Sequence, residues 1–392
     1  MVIILVLCSF VIYAQQSVPK VFTIDANKIA SLKNRVLSGE MKKDSGIKKI
    51  FSSAEKLLNM KPVSIVEKDF IPPSGDKHDY ASMGKYWWPN PNTPDGVPYI
   101  RKDGEVNPEA SSIPDNTNFG KIISSVEMLS MVGYISNEQK YSTKAVELLK
   151  VWFINKESRM NPNLNYAQFV KGSNDGRGAG IIDIHAIYRL IDAIGLLTTS
   201  TVWNNEIDKE IKSWFEEYLN WLMTSKNGKN ESVAKNNHGS WYHVQVVTIS
   251  MFLDKKEFTR QLLLEEYKRR IDTQIKKDGS QPLELVRTKS WHYSVFNTEA
   301  LMRLALLGDR LGIDLWNYKN EEGASIRTAL DYVLPAALDH KLWNHPQIEE
   351  IKTDEIYKCL LLAKSKLDKK IYSEWIDKIF NNKKVDFITD LY

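Results

Sequence analysis

From about Lys121 to the end of the chain, apolar residues return at helical spacing in segment after segment, and runs of strict alternation are scarce. This periodicity predicts an all-α domain. Helices are expected over 121–134, 142–155, 181–198, 205–225, 239–253, 257–276, 294–312, 324–339, 347–365 and 369–381. The links between them are short and polar, among them Ser136-Asn137-Glu138, Lys226-Asn227-Gly228 and Lys277-Asp278-Gly279. Helices of this length with such tight links pack as antiparallel hairpins. No fixed-period repeat is readable, which disfavours a solenoid and leaves a closed or open ring of helical hairpins.

The stretch from Ile71 to Pro114 breaks the helical pattern, punctuated by Pro72, Pro73, Pro89, Pro91, Pro94, Pro98, Pro108 and Pro114. A loop this long inside a compact domain usually lines a binding site. It also holds Tyr80, Tyr86, Trp87, Trp88 and Tyr99. Such rings suit the axial C–H faces of sugars, or they anchor the loop to the core; each ring can take either role. A net charge of +4 with Lys and Arg interspersed among Asp and Glu argues against a dedicated nucleic-acid binder and is compatible with a polyanionic ligand.

The first residues, Met1 to Ala14, form an apolar run too short to span a bilayer. They read as a signal peptide cleaved after Ala14, leaving 15–392 as a single domain in the periplasm or outside the cell. Cleavage removes Cys8 and leaves Cys359 alone, so no intrachain disulfide is expected. No later segment is long and apolar enough to cross a membrane, and the mature protein is expected to be a soluble monomer.

Two polar segments open helices: Lys235-Asn236-Asn237-His238-Gly239-Ser240-Trp241-Tyr242-His243 and Arg287-Thr288-Lys289-Ser290-Trp291-His292-Tyr293. Their chemistry suits cleavage of a 4-linked uronate by β-elimination. A base must take the C5 proton, which is weakly acidic until the neighbouring carboxylate is neutralised. Asn, His and Arg donors can neutralise it and stabilise the enolate-like intermediate. A Tyr hydroxyl can both take the C5 proton and return one to O4 when the two lie on one face. Its pKa is ordinarily about 10, so a nearby Arg is needed to favour the phenolate. On this reading Asn237 and His238 bind the carboxylate, Tyr293 is base and acid, and Arg287 tunes Tyr293. For the opposite C5 configuration His238 becomes the base. Tyr86, Trp87, Trp88, Tyr99, Asn236, Trp241, Lys289 and His292 are the candidate substrate contacts.

Other readings of the same residues stay open at this point. Asn236-Asn237 is a good helix N-cap pair. Trp241 and Trp291 also fit a core, and His292 a satisfied buried histidine. His238 and His243 are five apart, which misses the helical metal spacing of four, so no metal is expected. Glu231, Asp278, Glu284 and Glu299 could supply a hydrolytic carboxylate pair. A non-catalytic glycan-binding protein would use the Trp-rich loop alone.

The chain resembles the alginate lyase superfamily of helical-toroid enzymes over most of its mature length. The resemblance rests on Tyr86-Trp87-Trp88-Pro89, Pro98-Tyr99-Ile100 and Asp103-Gly104-Glu105-Val106-Asn107-Pro108. It continues through Trp152-Phe153, Met160-Asn161-Pro162, Asn236-Asn237-His238-Gly239, and Asp278-Gly279-Ser280-Gln281-Pro282 leading to Arg287 and Tyr293. It implies an all-α (α/α) toroid or incomplete barrel without a β-sandwich appendage, an acidic polysaccharide as partner, and no cofactor. It also implies that Asn237, His238, Arg287 and Tyr293 form the catalytic group. The better-known members space the Arg and Tyr seven apart; here the interval is six, which implies a related branch. Mannuronate-rich alginate is the expected substrate, with glucuronan or a mixed glucuronate polymer the alternative.

Overall fold

The computed structural model describes residues 18–381; the N-terminal apolar run with its expected cleavage point, and Cys8 within it, lie outside the described residues. Two short helices, α1 (Ala26–Leu37) and α2 (Ser45–Leu58), come first, capped by the Asp25 and Asp44 carboxylates on the amides of their first turns. Each buries one narrow stripe, Ile29 and Leu32 on α1 and Ile47, Ile50 and Ala54 on α2, against α3 (Asp115–Ser136). The sequence reading, which began its helices at Lys121, did not place these two.

The rest is a succession of hairpins. After α3 come α4 (Gln139–Leu149), α5 (Ile187–Leu197), α6 (Asn205–Thr224), the short α7 (Lys226–Ser232), α8 (Asn237–Phe252) and α9 (Lys256–Gln274). A single turn, α10 (Pro282–Leu285), leads to α11 (Ser290–Arg310), α12 (Ile326–Leu338), α13 (Tyr357–Lys366) and α14 (Lys369–Phe380). Helices α3, α5, α8, α11 and α13 pack in that order as an inner row, with α4 against α3, α9 against α8, α12 against α11 and α14 against α13 on the outside. This is the (α/α) toroid. Inner helices are apolar nearly all round because both faces are covered. In α8 every residue except His238 is buried.

Some boundaries differ from expectation for local reasons. The segment expected as helix 142–155 ends in a π-helical turn, Lys150–Ile154, and the one expected over 181–198 begins as a 3-10 turn, Gly178–Ile184. The expected helix 347–365 is helical only from a 3-10 turn at Thr353–Ile356 onward, because 343–352 instead crosses the start of α11, where Ser290 donates its hydroxyl to the Pro346 carbonyl at 2.6 Å.

The Pro-rich stretch is ordered by short strands. β1 (Ala81–Met83) pairs in parallel with β4 (Tyr166–Phe169), and β2 (Trp87–Trp88) pairs antiparallel with β3 (Ile100–Arg101). Its root is held by buried Lys68, whose ammonium donates to the carbonyls of Ile65, Lys77 and Asp79 and pairs with Asp115 at 2.8 Å. One apolar core contains residues from Val21 to Phe380, with a small satellite of Met83, Tyr99 and Val170 under the loop. Among the described residues no helix is long and apolar enough to cross a membrane.

Candidate active site

Four of the five inner helices start at a common cleft of about 630 Å³. Asn116 lies in the first turn of α3, His185 just before α5, Asn236, Asn237 and His238 at the start of α8, and His292 and Tyr293 in the first turn of α11. Four helix N-termini thus converge on one space, and their free amides and positive dipole ends favour an anion there. Lys85, Arg101, Arg177 and Arg287 add cationic side chains to the lining.

All four residues expected to be catalytic line this cleft. Asn237 donates its backbone N–H and its side-chain amide to the two oxygens of Glu284, at 2.6 and 2.7 Å. Glu284 is itself buried, and burial raises its pKa although the Asn237 donors oppose that. His238 turns Nδ1 to Glu231 at 2.7 Å, so with the proton on Nδ1 the Nε2 lone pair is the free one. Asn236 occupies the cap position of α8 but makes no side-chain cap bond, so its amide belongs to the cleft rather than to the helix end.

Tyr293 donates its hydroxyl to that of Tyr86 at 2.9 Å, and the Arg287 guanidinium lies over the Tyr293 ring, 4.0 Å from its centroid. Arg287 acts in the direction that favours the Tyr293 phenolate, but it does not prevail. Burial and the Tyr86 phenol push the Tyr293 pKa up more strongly than Arg287 pulls it down, so the resting side chain is a phenol. Part of the reason is that Arg287 is already paired, its Nε and Nη2 both donating to Asp103.

The expected substrate contacts divide. Tyr86 and Trp87 line the cleft, and Arg177 lies over the Trp87 ring, 5.5 Å from its centroid. His292 lines it too, two-fifths exposed and bonded to Glu355 at 2.8 Å. Lys289 is ion-paired to Glu349 in a smaller adjoining pocket. Trp88 points its indole N–H to the Glu105 carbonyl, and Tyr99 is buried with its hydroxyl on Glu109, so these two rings anchor the loop. Trp241 is 1% exposed, stacked on Tyr188 and packed against Phe296 beneath the cleft, and so cannot carry a sugar.

Several lining residues escaped the sequence reading. Arg177 donates to the Gln168 carbonyl and side chain, and Gln168 in turn donates to Asp183 at 2.7 Å. Gln168 holds φ 47°, a strained setting for a non-glycine residue and one that recurs at functional sites. Arg177 makes no direct ion pair among the described residues, though the Asp183 and Glu231 carboxylates act on it across the cleft. The Gly176-Arg177-Gly178 run was the one local signal, since Cβ atoms at either glycine would run into neighbouring backbone. Among the described residues there is no group of three or more His, Cys, Asp or Glu that could hold a metal.

Comparison with known proteins agrees with this geometry. The family model described as alginate lyase matches residues 66–343. A crystal structure of an alginate lyase from Bacteroides ovatus is 34% identical and superposes with a TM-score of 0.90, covering 96% of this chain and 99% of that one. Alginate lyase A1-III from Sphingomonas species A1 is 19% identical with a TM-score of 0.56 over 90% of each chain. A variant of A1-III complexed with a tetrasaccharide gives 0.57 at 19% identity, covering 86% of this chain and 84% of that one; at this identity both show the toroid alone. A search of curated sequences gives no match. With the family model spanning most of the chain and a relative aligned over nearly its whole length, this protein belongs to the alginate lyase family and is a polysaccharide lyase.

Proposed function

We propose that the enzyme cleaves a 4-linked uronate polymer, mannuronate-rich alginate first, by β-elimination in the cleft at the start of the inner helices. The observation that carries this reading is the meeting of Asn237, His238, Arg287 and Tyr293 in one cation-lined space. The substrate carboxylate would meet the second N–H of the Asn237 amide, His238 and the helix amides, which lower the cost of the charge that develops when the C5 proton leaves. Tyr293 lines the same cleft, its proton already committed to Tyr86, so the route to its basic form runs along that hydrogen bond. For a uronate of opposite C5 configuration, the Glu231-backed His238 supplies the base and the Tyr293 phenol the acid. A relative of the same fold holds a tetrasaccharide, which fits a cleft built for several sugar units. An exported enzyme would meet such polymers outside the cytoplasm, and N-terminal sequencing of the mature protein would show whether it begins at Gln15.

The test is to mix the purified protein with polymannuronate, polyguluronate and glucuronan and follow the ultraviolet absorbance of the unsaturated product. Signal with polymannuronate above the other two is expected; silence with every polyuronate would end the reading. Tyr293→Phe should lower kcat by about 10²–10⁴-fold with the melting temperature nearly unchanged. Full activity in that variant would remove Tyr293 from proton transfer.

A further inference from the structure

We infer that Asp103 is a positioning residue of this elimination, holding the Arg287 guanidinium against the Tyr293 ring and setting how much of its positive charge acts on the phenol. The inference rests on the lyase reading above. Asp103 comes from the Pro-rich loop, just after β3, and Arg287 from the link between α10 and α11, 184 residues away. Arg287 Nε donates to both Asp103 oxygens at 3.1 and 3.0 Å, and Nη2 donates at 2.8 Å. The backbone N–H of Thr288 donates to the same carboxylate at 3.1 Å, and the Thr288 hydroxyl donates to the Asp103 carbonyl at 2.8 Å. Arg101 adds a further bond to Oδ1 at 2.7 Å. The next residue, Gly104, has φ 79°, and a Cβ there would run into the Thr288 hydroxyl and the Ile348 side chain. Loop backbone is therefore pressed onto the segment that opens α11.

Held this way, Arg287 has one edge on a carboxylate and its face on the Tyr293 ring, and Nη1 has no hydrogen-bond partner among the described residues. A bidentate carboxylate does two things to such a guanidinium. It removes rotational freedom, and it cancels much of the charge seen by a neighbour. The charged and titratable groups around Tyr293 are Tyr86 from the loop, with Lys85 and Lys289 against its ring, Arg287 and Asp103, His292 on α11, and, elsewhere in the same cleft, His238 with Glu231 and Arg101, Arg177 and Asp183. Glu284 stands near Arg287. Within this set Arg287 favours the phenolate and Asp103 opposes it. Although burial works the other way, bonds from Arg287 and Thr288 keep Asp103 ionised far below the usual carboxylate range, so this opposition is constant at working pH.

Asp103→Asn retains the shape and an acceptor for Thr288 while removing the charge. The rising limb of kcat/KM against pH should then move to lower pH by about one unit, even if kcat falls as Arg287 loosens. Asp103→Glu, which keeps the charge on a longer arm, should lower kcat and leave the limb in place. The NMR signal of 13Cζ-labelled tyrosine, assigned by its loss in Tyr293→Phe, reports the same coupling without turnover. In Asp103→Asn it should begin to move toward the phenolate at a lower pH than in the native enzyme. Coincident limbs and coincident titrations in native enzyme and Asp103→Asn would reduce Asp103 to a loop anchor, as would an equal limb shift in Asp103→Glu. An active Tyr293→Phe would instead overturn the proton shuttle itself, while the NMR comparison would still decide whether Asp103 governs Tyr293.

Discussion

At the scale of single residues, burial and partner decide what each polar or aromatic group can do. Trp241 begins in a segment whose neighbours face the cleft, yet its ring is stacked on Tyr188 with centroids 6.1 Å apart, and its indole N–H finds no partner among the described residues. Trp241→Phe keeps an aromatic face under His185 and Phe296. It should therefore cost about 1–3 kcal/mol in a denaturant titration while KM for the polymer stays at its native value. Unchanged stability with a raised KM would instead put the ring in contact with sugar. Trp87 and Trp88 show the same division side by side, since alternation along β2 sends one ring to the cleft and turns the other to Glu105 and Lys102. No count of aromatic residues distinguishes such neighbours. Tyr293 makes the complementary point about charge. An arginine six residues upstream is a reasonable cause for a lowered phenol pKa, but desolvation and a second phenol outweigh it once Asp103 has taken part of the guanidinium's charge.

At the scale of elements, the start of α8 is the critical junction. Gly239 lies in its first turn, where a Cβ would run into the Ala234 carbonyl and the guanidinium of buried Arg270. Arg270 donates to the carbonyls of Ser232 and Ala234 and so holds the link between α7 and α8, which carries Asn236 into the cleft. Gly239→Ala should lower stability by about 1–3 kcal/mol through overpacking and displace the Asn237–His238 pair, so activity should fall more than the melting temperature implies. Thermal melts and kcat of the same preparation check this; a variant with native values of both would mean that the junction yields freely. The hairpins were legible because a period of 3.6 survives in any amphipathic helix. The N-terminal pair α1 and α2 was missed because each buries only a thin stripe, and 347–352 was read as helix although its backbone pairs with the start of α11, through the Lys289–Gln347 bridge, rather than with itself.

At the scale of the whole molecule, the toroid places one loop across the openings of several helices and ties it down at several interior points. Lys68 is one of them, fully buried and bonded to three carbonyls and Asp115. Lys68→Met leaves the Asp115 carboxylate buried without its counter-charge, and a loss of about 3–5 kcal/mol is expected in chemical denaturation. The double variant Lys68→Met with Asp115→Asn should recover part of that loss; no recovery would mean that the carbonyl contacts, not the ion pair, matter most. The sequence by itself determined the helical class, the hairpin order, the two polar segments at helix starts and the family, because all of these are written in local spacing and short motifs. Only the tertiary structure decided which aromatic rings meet the cleft and which carboxylate stands behind each active group. Glu284 and Asp103 lie 47 and 184 residues from the groups they hold, brought there by the packing of distant elements, which no local pattern encodes, while Glu231 lies 7 residues from His238 across the α7–α8 link.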